Sequence, residues 1–282
     1  MDKRREEKLF KVLMLASLAI VLGSLFAVVV LIVRNGLPAL SWSMITQAPE
    51  GGYYLGKEGG VLNAIVGSLY LGLFSTALAF VISLPAALAL QKDYLKNTRA
   101  AYVIRLALDV LWGTPSIVYG AFGFTVMLYL GMRASLLGGI LVLTLLQLPI
   151  MIIAMEEVLK MVPRDLKEAS YTLGATRFET TARVVIRQAL PGILTGALLA
   201  FGRGIGDAAS ILFTAGFTDS LPGSLLAPVA SLPLAIFFQL GTPFPEVQQR
   251  AYASALILLI IVLGLSIVAR ALSKKFMKNI VR

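Results

Sequence analysis

Six apolar stretches, each long enough to cross a membrane, limit what this sequence can fold into more than any other feature. A hydrocarbon layer about 30 Å thick takes about 20 helical residues. Residues 9–33, 61–90, 105–130, 135–155, 190–216 and 252–272 meet that length. Backbone groups in such stretches cannot reach water and must close their own hydrogen bonds, so the expected fold class is an all-α membrane protein of six transmembrane helices. Of 282 residues, 58% are hydrophobic and 14% charged, more apolar surface than a water-soluble core requires. The first stretch exceeds the apolar core of a signal peptide and reads as a retained anchor. With no low-complexity linker, residues 1–282 read as a single domain.

The basic residues fix the expected orientation. Lys3, Arg4, Arg5, Lys8 and Lys11 precede the first span; Lys92, Lys96, Arg99 and Arg105 follow the second; Lys160, Arg164, Lys167, Arg177, Arg183 and Arg187 follow the fourth; Arg270, Lys274, Lys275, Lys278 and Arg282 close the chain. These segments alternate, so an even number of spans puts them on one side with both termini, the cytoplasmic side by the positive-inside rule. Arg34, Lys57, Arg133 and Arg250 fall outside. The net charge of +10 is therefore spread over membrane flanks, where it sets topology and meets anionic lipid, and does not form a nucleic-acid groove. With neither Cys nor His, disulfides, thiolate chemistry, imidazole bases and the usual transition-metal ligands are excluded.

Helix breakers concentrate in the middle spans. Pro85, Pro149 and Pro191 lie inside apolar runs, the third span carries Gly113-Thr114-Pro115-Ser116, and the fifth carries Gly202, Gly204 and Gly206. Such residues collect where a bundle bends, packs closely or lines a path, and ordinary packing is the alternative for any one of them. The outer loop 217–249 includes an apolar stretch at 225–238, broken by Pro228 and Pro233, that reads as a re-entrant or interfacial lid.

The loop 156–189 is polar and patterned. Pro163 suits the first turn of a helix, Leu166, Ala169, Ser170 and Leu173 recur at helical spacing, and Gly174 suits a left-handed stop. Thr176 and Glu179 have capping-box spacing, so a second helix starts there and runs into the fifth span. A helix, a sharp turn and a second helix projecting into the cytoplasm read as a docking element for a soluble protein; an amphipathic helix lying on lipid is the alternative.

Glu168-Ala169-Ser170 with Gly174 resembles the Glu-Ala-Ala-x3-Gly signature of ABC importer membrane subunits, whose loop fits a groove of the ATP-hydrolysing subunit. The later Ile-x-Leu-Pro part departs: Val184-Val185-Ile186-Arg187 has Arg for Pro. Further segments are similar to permease subunits of phosphate ABC importers: Gly59-Gly60-Val61-Leu62-Asn63, Gly113-Thr114-Pro115-Ser116, Gln147-Leu148-Pro149, Arg203-Gly204-Ile205-Gly206-Asp207 and Leu232-Pro233-Leu234-Ala235. They follow the family's order from Gly59 onward. The resemblance implies the type I importer permease fold, with residues 61–272 as its core and 156–189 as its coupling loop. It implies a homologous permease partner in a heterodimer, two ATP-binding cassette subunits that hold the ATP and magnesium, and an external phosphate-binding protein. No cofactor is expected on this chain, which lacks a phosphate-cradling Gly-rich loop ending in Lys-Ser or Lys-Thr. The coupling residues carried over are Glu168, Ala169, Ser170 and Gly174. Of two family arginines on the phosphate path, one matches Arg203 and the other falls at Ile153, which leaves another oxyanion such as sulfate, molybdate or phosphonate as the alternative substrate and a secondary carrier as the alternative class; Asp207 stands for a Glu and Ser210 for a Pro.

Arg203 stands out without any resemblance, because a cation at membrane depth is costly unless paired or hydrated. Arg203 and Asp207 are four residues apart and meet on one face of a helix. Two readings stand: a structural ion pair, or a switch in which Arg203 leaves Asp207 for a passing oxyanion. Thr114 and Ser116 are candidate hydrogen-bond donors to the same path, or else satisfy carbonyls freed by Pro115. Asp109, Arg105 and Trp112 read as interfacial anchors.

Overall fold

The computed structural model describes residues 3–50, 58–91, 94–95 and 98–277. Lys57, Lys92, Lys96, Lys278 and Arg282 of the charge pattern lie outside the described residues. The helices are α1 (Lys3–Gly36), α2 (Trp42–Thr46), α3 (Leu62–Ala89), α4 (Arg99–Gly113), α5 (Ser116–Tyr129), α6 (Leu136–Lys160), α7 (Arg164–Thr172), α8 (Arg177–Thr180), α9 (Ile186–Ile205), α10 (Leu232–Leu240) and α11 (Pro245–Met277). A short antiparallel ribbon of β1 (Pro49–Glu50) and β2 (Glu58–Gly59) sits between α2 and α3. Helix α8 runs into α9 through a π turn at Thr181–Val185, making one 29-residue helix.

Five helices are long and apolar enough to cross a membrane: α1, α3, α6, the joined α8–α9 and α11. The third expected span is not one helix. It is α4 and α5, bent by 104° at Thr114-Pro115. Pro115 disfavours the helical region for the residue before it, and Thr114 is extended at φ −75°, ψ 129°. The break satisfies its own carbonyls. Thr114 Oγ1 donates to Val110 O at 2.8 Å, and Tyr119 Oη donates to Leu111 O at 2.7 Å.

The fifth expected span also departs, because its helix ends at Ile205 and residues 206–216 continue as irregular turns. Composition alone reads this apolar stretch as helix. This stretch and the loop that follows it lie instead at the start of α6, whose first amides must find acceptors. Ser135 N donates to Thr214 O at 2.9 Å, Leu136 N to Ala227 O at 2.8 Å and Leu137 N to Leu225 O at 2.8 Å. Ser135 Oγ accepts from Gly138 N at 3.2 Å. The apolar stretch 225–238 becomes a turn, exposed at Leu225 and Leu226 and buried from Val229, followed by α10. That helix is capped by Ser231, packs against α3 and α11, and is tied to α3 by Leu232 N donating to Ser68 Oγ at 2.8 Å.

The centre of the bundle is α3, α6 and α9. Helices α6 and α9 are antiparallel in close register: Gly192 lies on Val158, Gly196 on Ala154 and Gly204 on Gln147. Small residues every four positions let two backbones approach where side chains of ordinary size would hold them apart. Helix α1 stands apart, resting on α11 with its apolar residues exposed.

At the basic end of the bundle Glu156 is buried and bridges two cations. Arg105 Nη2 lies 2.8 Å and Lys160 Nζ 3.1 Å from Glu156 Oε1. Arg105 also donates to Leu90 O at 3.0 Å, so the middle of α4 and the ends of α3 and α6 share one charged knot. Arg105 is thus a structural partner and not the interfacial anchor its position in sequence suggests. Trp112, in contrast, is exposed as an anchor would be.

Candidate translocation and coupling sites

The last turn of α9 carries the candidate substrate residues. Arg203 and Asp207 do meet, with Nη1 donating to Oδ1 at 3.0 Å. They do not share a helix, since Asp207 lies two residues past its end. The Asp207 carboxylate accepts a second bond from Ser210 N at 2.8 Å and thereby shapes the turn that follows α9. Asp207 is buried, at 4% side-chain exposure, whereas Arg203 is 47% exposed. A single nitrogen of the guanidinium is held, and the rest of the fork faces outward beside exposed Gly202 and Gly206.

Depth follows from the helix register. Gln147 stands midway along α6, so Gly204 and Arg203 lie near the middle of the bundle. A half-exposed guanidinium there cannot face lipid at tolerable cost, and the surface bearing it faces either another protein or a hydrated path. Irregular backbone at such depth has the same requirement. Thr114 and Ser116 are not drawn to Arg203. Thr114 serves the Val110 carbonyl, and no hydrogen bond joins either hydroxyl to Arg203 among the described residues. Their helix does reach the neighbourhood: a Cβ on Gly120, one turn beyond Ser116, would meet Ser210 O at 2.7 Å. Ile153 lies half-buried against the apolar cluster at the basic end of α6, so this chain has no cation at that level of α6.

The loop after α6 is built from local signals. Pro163 caps α7, one position earlier than its placement in the first turn. At the other end Gly174 takes φ +83°. Gly174 N donates to Tyr171 O at 2.9 Å and Ala175 N to Ser170 O at 3.2 Å, the two bonds of a Schellman stop. The capping box is present: Glu179 N donates to Thr176 Oγ1 at 3.3 Å, and Thr176 N to Glu179 Oε2 at 2.9 Å. Replacing Thr176 by Ala is expected to cost about 1 kcal/mol at the start of α8. A lower melting temperature of the purified protein, with full membrane insertion, would show it.

The expected apolar face of α7 is split by the packing. Leu166 and Ser170 are half-buried, and Ser170 Oγ lies 2.9 Å from Thr180 Oγ1. Glu168, Ala169 and Gly174 are exposed, and Leu173 is 88% exposed with Phe178 across the turn at 77%. Two large apolar side chains so open to water mark a surface made to be covered. Behind them a cleft of about 730 Å³ separates α7 from the ends of α3, α4 and α6, lined by Arg105, Lys160, Arg164, Lys167, Glu168 and Tyr171. Glu156, Gln147 and the Ser210 amide had no role assigned from sequence. Gln147 is a lone amide in an apolar run and Glu156 one of two adjacent acids at the start of the polar loop, whereas nothing in the sequence signals the Ser210 amide.

A bundle with a bent, broken interior, a mid-depth cation and a polar helix–turn–helix at its basic end defines a multi-pass membrane transport subunit. Residues 79–278 match the family model described as the binding-protein-dependent transport system inner membrane component. The chain belongs to that family. It is 33% identical to the phosphate transport system permease protein PstA of Yersinia pestis over 97% of this chain and 92% of that one. It is also 33% identical to the probable ABC transporter permease protein YqgI of Bacillus subtilis, over 94% and 93%. The PstA of Xylella fastidiosa is 34% identical over 86% and 83%. The fold matches chains in inward-facing structures of the MetNI methionine ABC transporter, with a TM-score of 0.62 at 19% identity, over 77% of this chain and 95% of that one.

Proposed function

We propose that this chain is the membrane-spanning permease subunit of an ATP-driven ABC importer and carries inorganic phosphate across the cytoplasmic membrane. The observation that carries the reading is Arg203, half-exposed at mid-depth with one guanidinium nitrogen held and the remainder open. A guanidinium fork matches two oxygens of a tetrahedral oxyanion, and its pairing with Asp207 keeps the empty path neutral. Relatives named as phosphate permeases at about a third identity supply the substrate.

The open face of α9 calls for a second, homologous permease to complete the path. The exposed Leu173 and Phe178, with Glu168, Ala169 and Gly174, form the surface for an ATP-binding cassette subunit, one on each permease. ATP and magnesium belong to those subunits, and hydrolysis is theirs. An external binding protein delivers phosphate, and both termini lie in the cytoplasm with the basic loops.

ATP-dependent uptake of labelled phosphate into proteoliposomes holding all four components tests this reading. Uptake that excess unlabelled phosphate abolishes and sulfate or molybdate leaves intact is the expected result. Competition by sulfate or molybdate at equal strength would retain the importer and replace the substrate, a result the loss of the second arginine at Ile153 makes worth seeking.

A further inference from the structure

We infer that Gln147 is a positioning residue that locks the last turn of α9 and so aims Arg203. The inference rests on the reading of Arg203 as the oxyanion-facing group. The Gln147 side chain is buried and held by α3 at both of its polar atoms: Nε2 donates to Ser75 Oγ at 2.9 Å, and Oε1 accepts from Thr76 Oγ1 at 2.9 Å. Ser75 is held in turn, its Oγ donating to Gly72 O at 3.3 Å and its carbonyl accepting from Thr144 Oγ1 at 3.3 Å.

This fixed amide lies directly on the α carbon of Gly204, where any added Cβ would collide with Gln147 Nε2. On the opposite side of the contact, a Cβ on Gly72 would meet Phe201 at 3.1 Å, so α3 grips the same turn of α9. Residue 204 is therefore pinned inward. Successive residues on a helix are about 100° apart, so pinning 204 sets the direction of its neighbour Arg203 toward the open face. A hydrophobic residue at 147 would fill the space without the two hydrogen bonds that fix its rotamer. It would also remove the acceptor of the part-buried Thr76 hydroxyl. The polar network therefore supplies directional rigidity that apolar packing at this contact lacks.

The chain has no cysteine, so one introduced thiol reports alone. Gln147→Leu and Gly204→Ala are each expected to lower the maximal rate of phosphate uptake about tenfold with the subunits still assembled. Combining Gly204→Ala with Gln147→Ala, which clears the collision, is expected to recover uptake to within about threefold of the unsubstituted transporter. In an Arg203→Cys chain, the rate of modification by a water-soluble thiol reagent is expected to change at least about threefold when Gln147→Leu is added. Losses that simply multiply in the double variant, or a thiol rate indifferent to residue 147, would overturn the lock. The thiol rate is measured on the purified chain and decides the matter even where a variant fails to assemble. Unimpaired uptake by Arg203→Gln, with the 147–204 coupling and the thiol shift both present, would leave the lock standing and remove the anion path from Arg203.

Discussion

Arg203→Gln is expected to reduce phosphate uptake by about a hundredfold while the complex still assembles. A hydrogen bond to a charged group contributes about 1.5–3 kcal/mol, and its loss at the point where the anion passes translates at about 1.4 kcal/mol per decade into a factor of ten to a hundred. Removal of the charge adds to that, because a neutral amide does not offset the cost of bringing an oxyanion into the bundle. Gln is chosen over Leu for a structural reason. Asp207 is buried and takes its second bond from Ser210 N, so a donor at 203 keeps the turn after α9 intact. Arg203→Lys retains charge without the planar fork and is expected to fall between the two. Uptake rates, measured beside gel-filtration profiles that establish assembly, check the result. Ordinary uptake in Arg203→Gln would reduce Arg203 and Asp207 to a structural ion pair.

The second large effect is at Gly174, where Val is expected to lower recovery of the ATP-binding subunit at least about tenfold without affecting insertion. A Cβ there would meet nothing within 4 Å, so space is not the issue. The backbone is at φ +83°, a region that costs an ordinary L-residue about 1–2 kcal/mol and a β-branched one more. Forcing that residue to negative φ breaks both closing bonds, from Gly174 N to Tyr171 O and from Ala175 N to Ser170 O. Helix α7 then leaves α8 at a different angle, and Leu173 and Phe178 no longer present one surface. Gly174→Asn separates the causes, since Asn visits the left-handed region readily and should bind the ATPase nearly as well. Co-purification of the tagged permease with its ATPase gives the readout, and equal recovery in the Val variant would remove the turn from the docking surface.

The polar loop after α6 was the most legible part of the chain because its signals are local. A left-handed glycine, a capping box and the bonds they make all close within six residues, so sequence spacing and spatial contact coincide there. The third span was legible as interrupted but not in its geometry. Pro115 announces a break, whereas the 104° bend depends on where α4 and α5 each find packing against α6. The fifth span was misread beyond Ile205, since apolar composition does not reveal that the Thr214 carbonyl is taken by the amide of Ser135 at the start of α6, far earlier in the chain. Arg105 was misread for a similar reason, its partner Glu156 being 51 residues away.

The sequence by itself determined the class of protein, the apolar segments available for crossing a membrane, the polar loop that leaves the bundle and the presence of a costly cation in the fifth apolar stretch. Hydrophobic length, charge asymmetry and capping chemistry are properties of short segments, and a linear reading contains them. Only the tertiary structure decided that α9 ends before Asp207, that Arg203 is held by one nitrogen and open on the rest, and that Gln147 rests on Gly204. Each of these depends on the register in which helices far apart in sequence pack. One residue of slip between α6 and α9 would exchange which side chains meet while leaving the apolar pattern of both helices nearly unchanged.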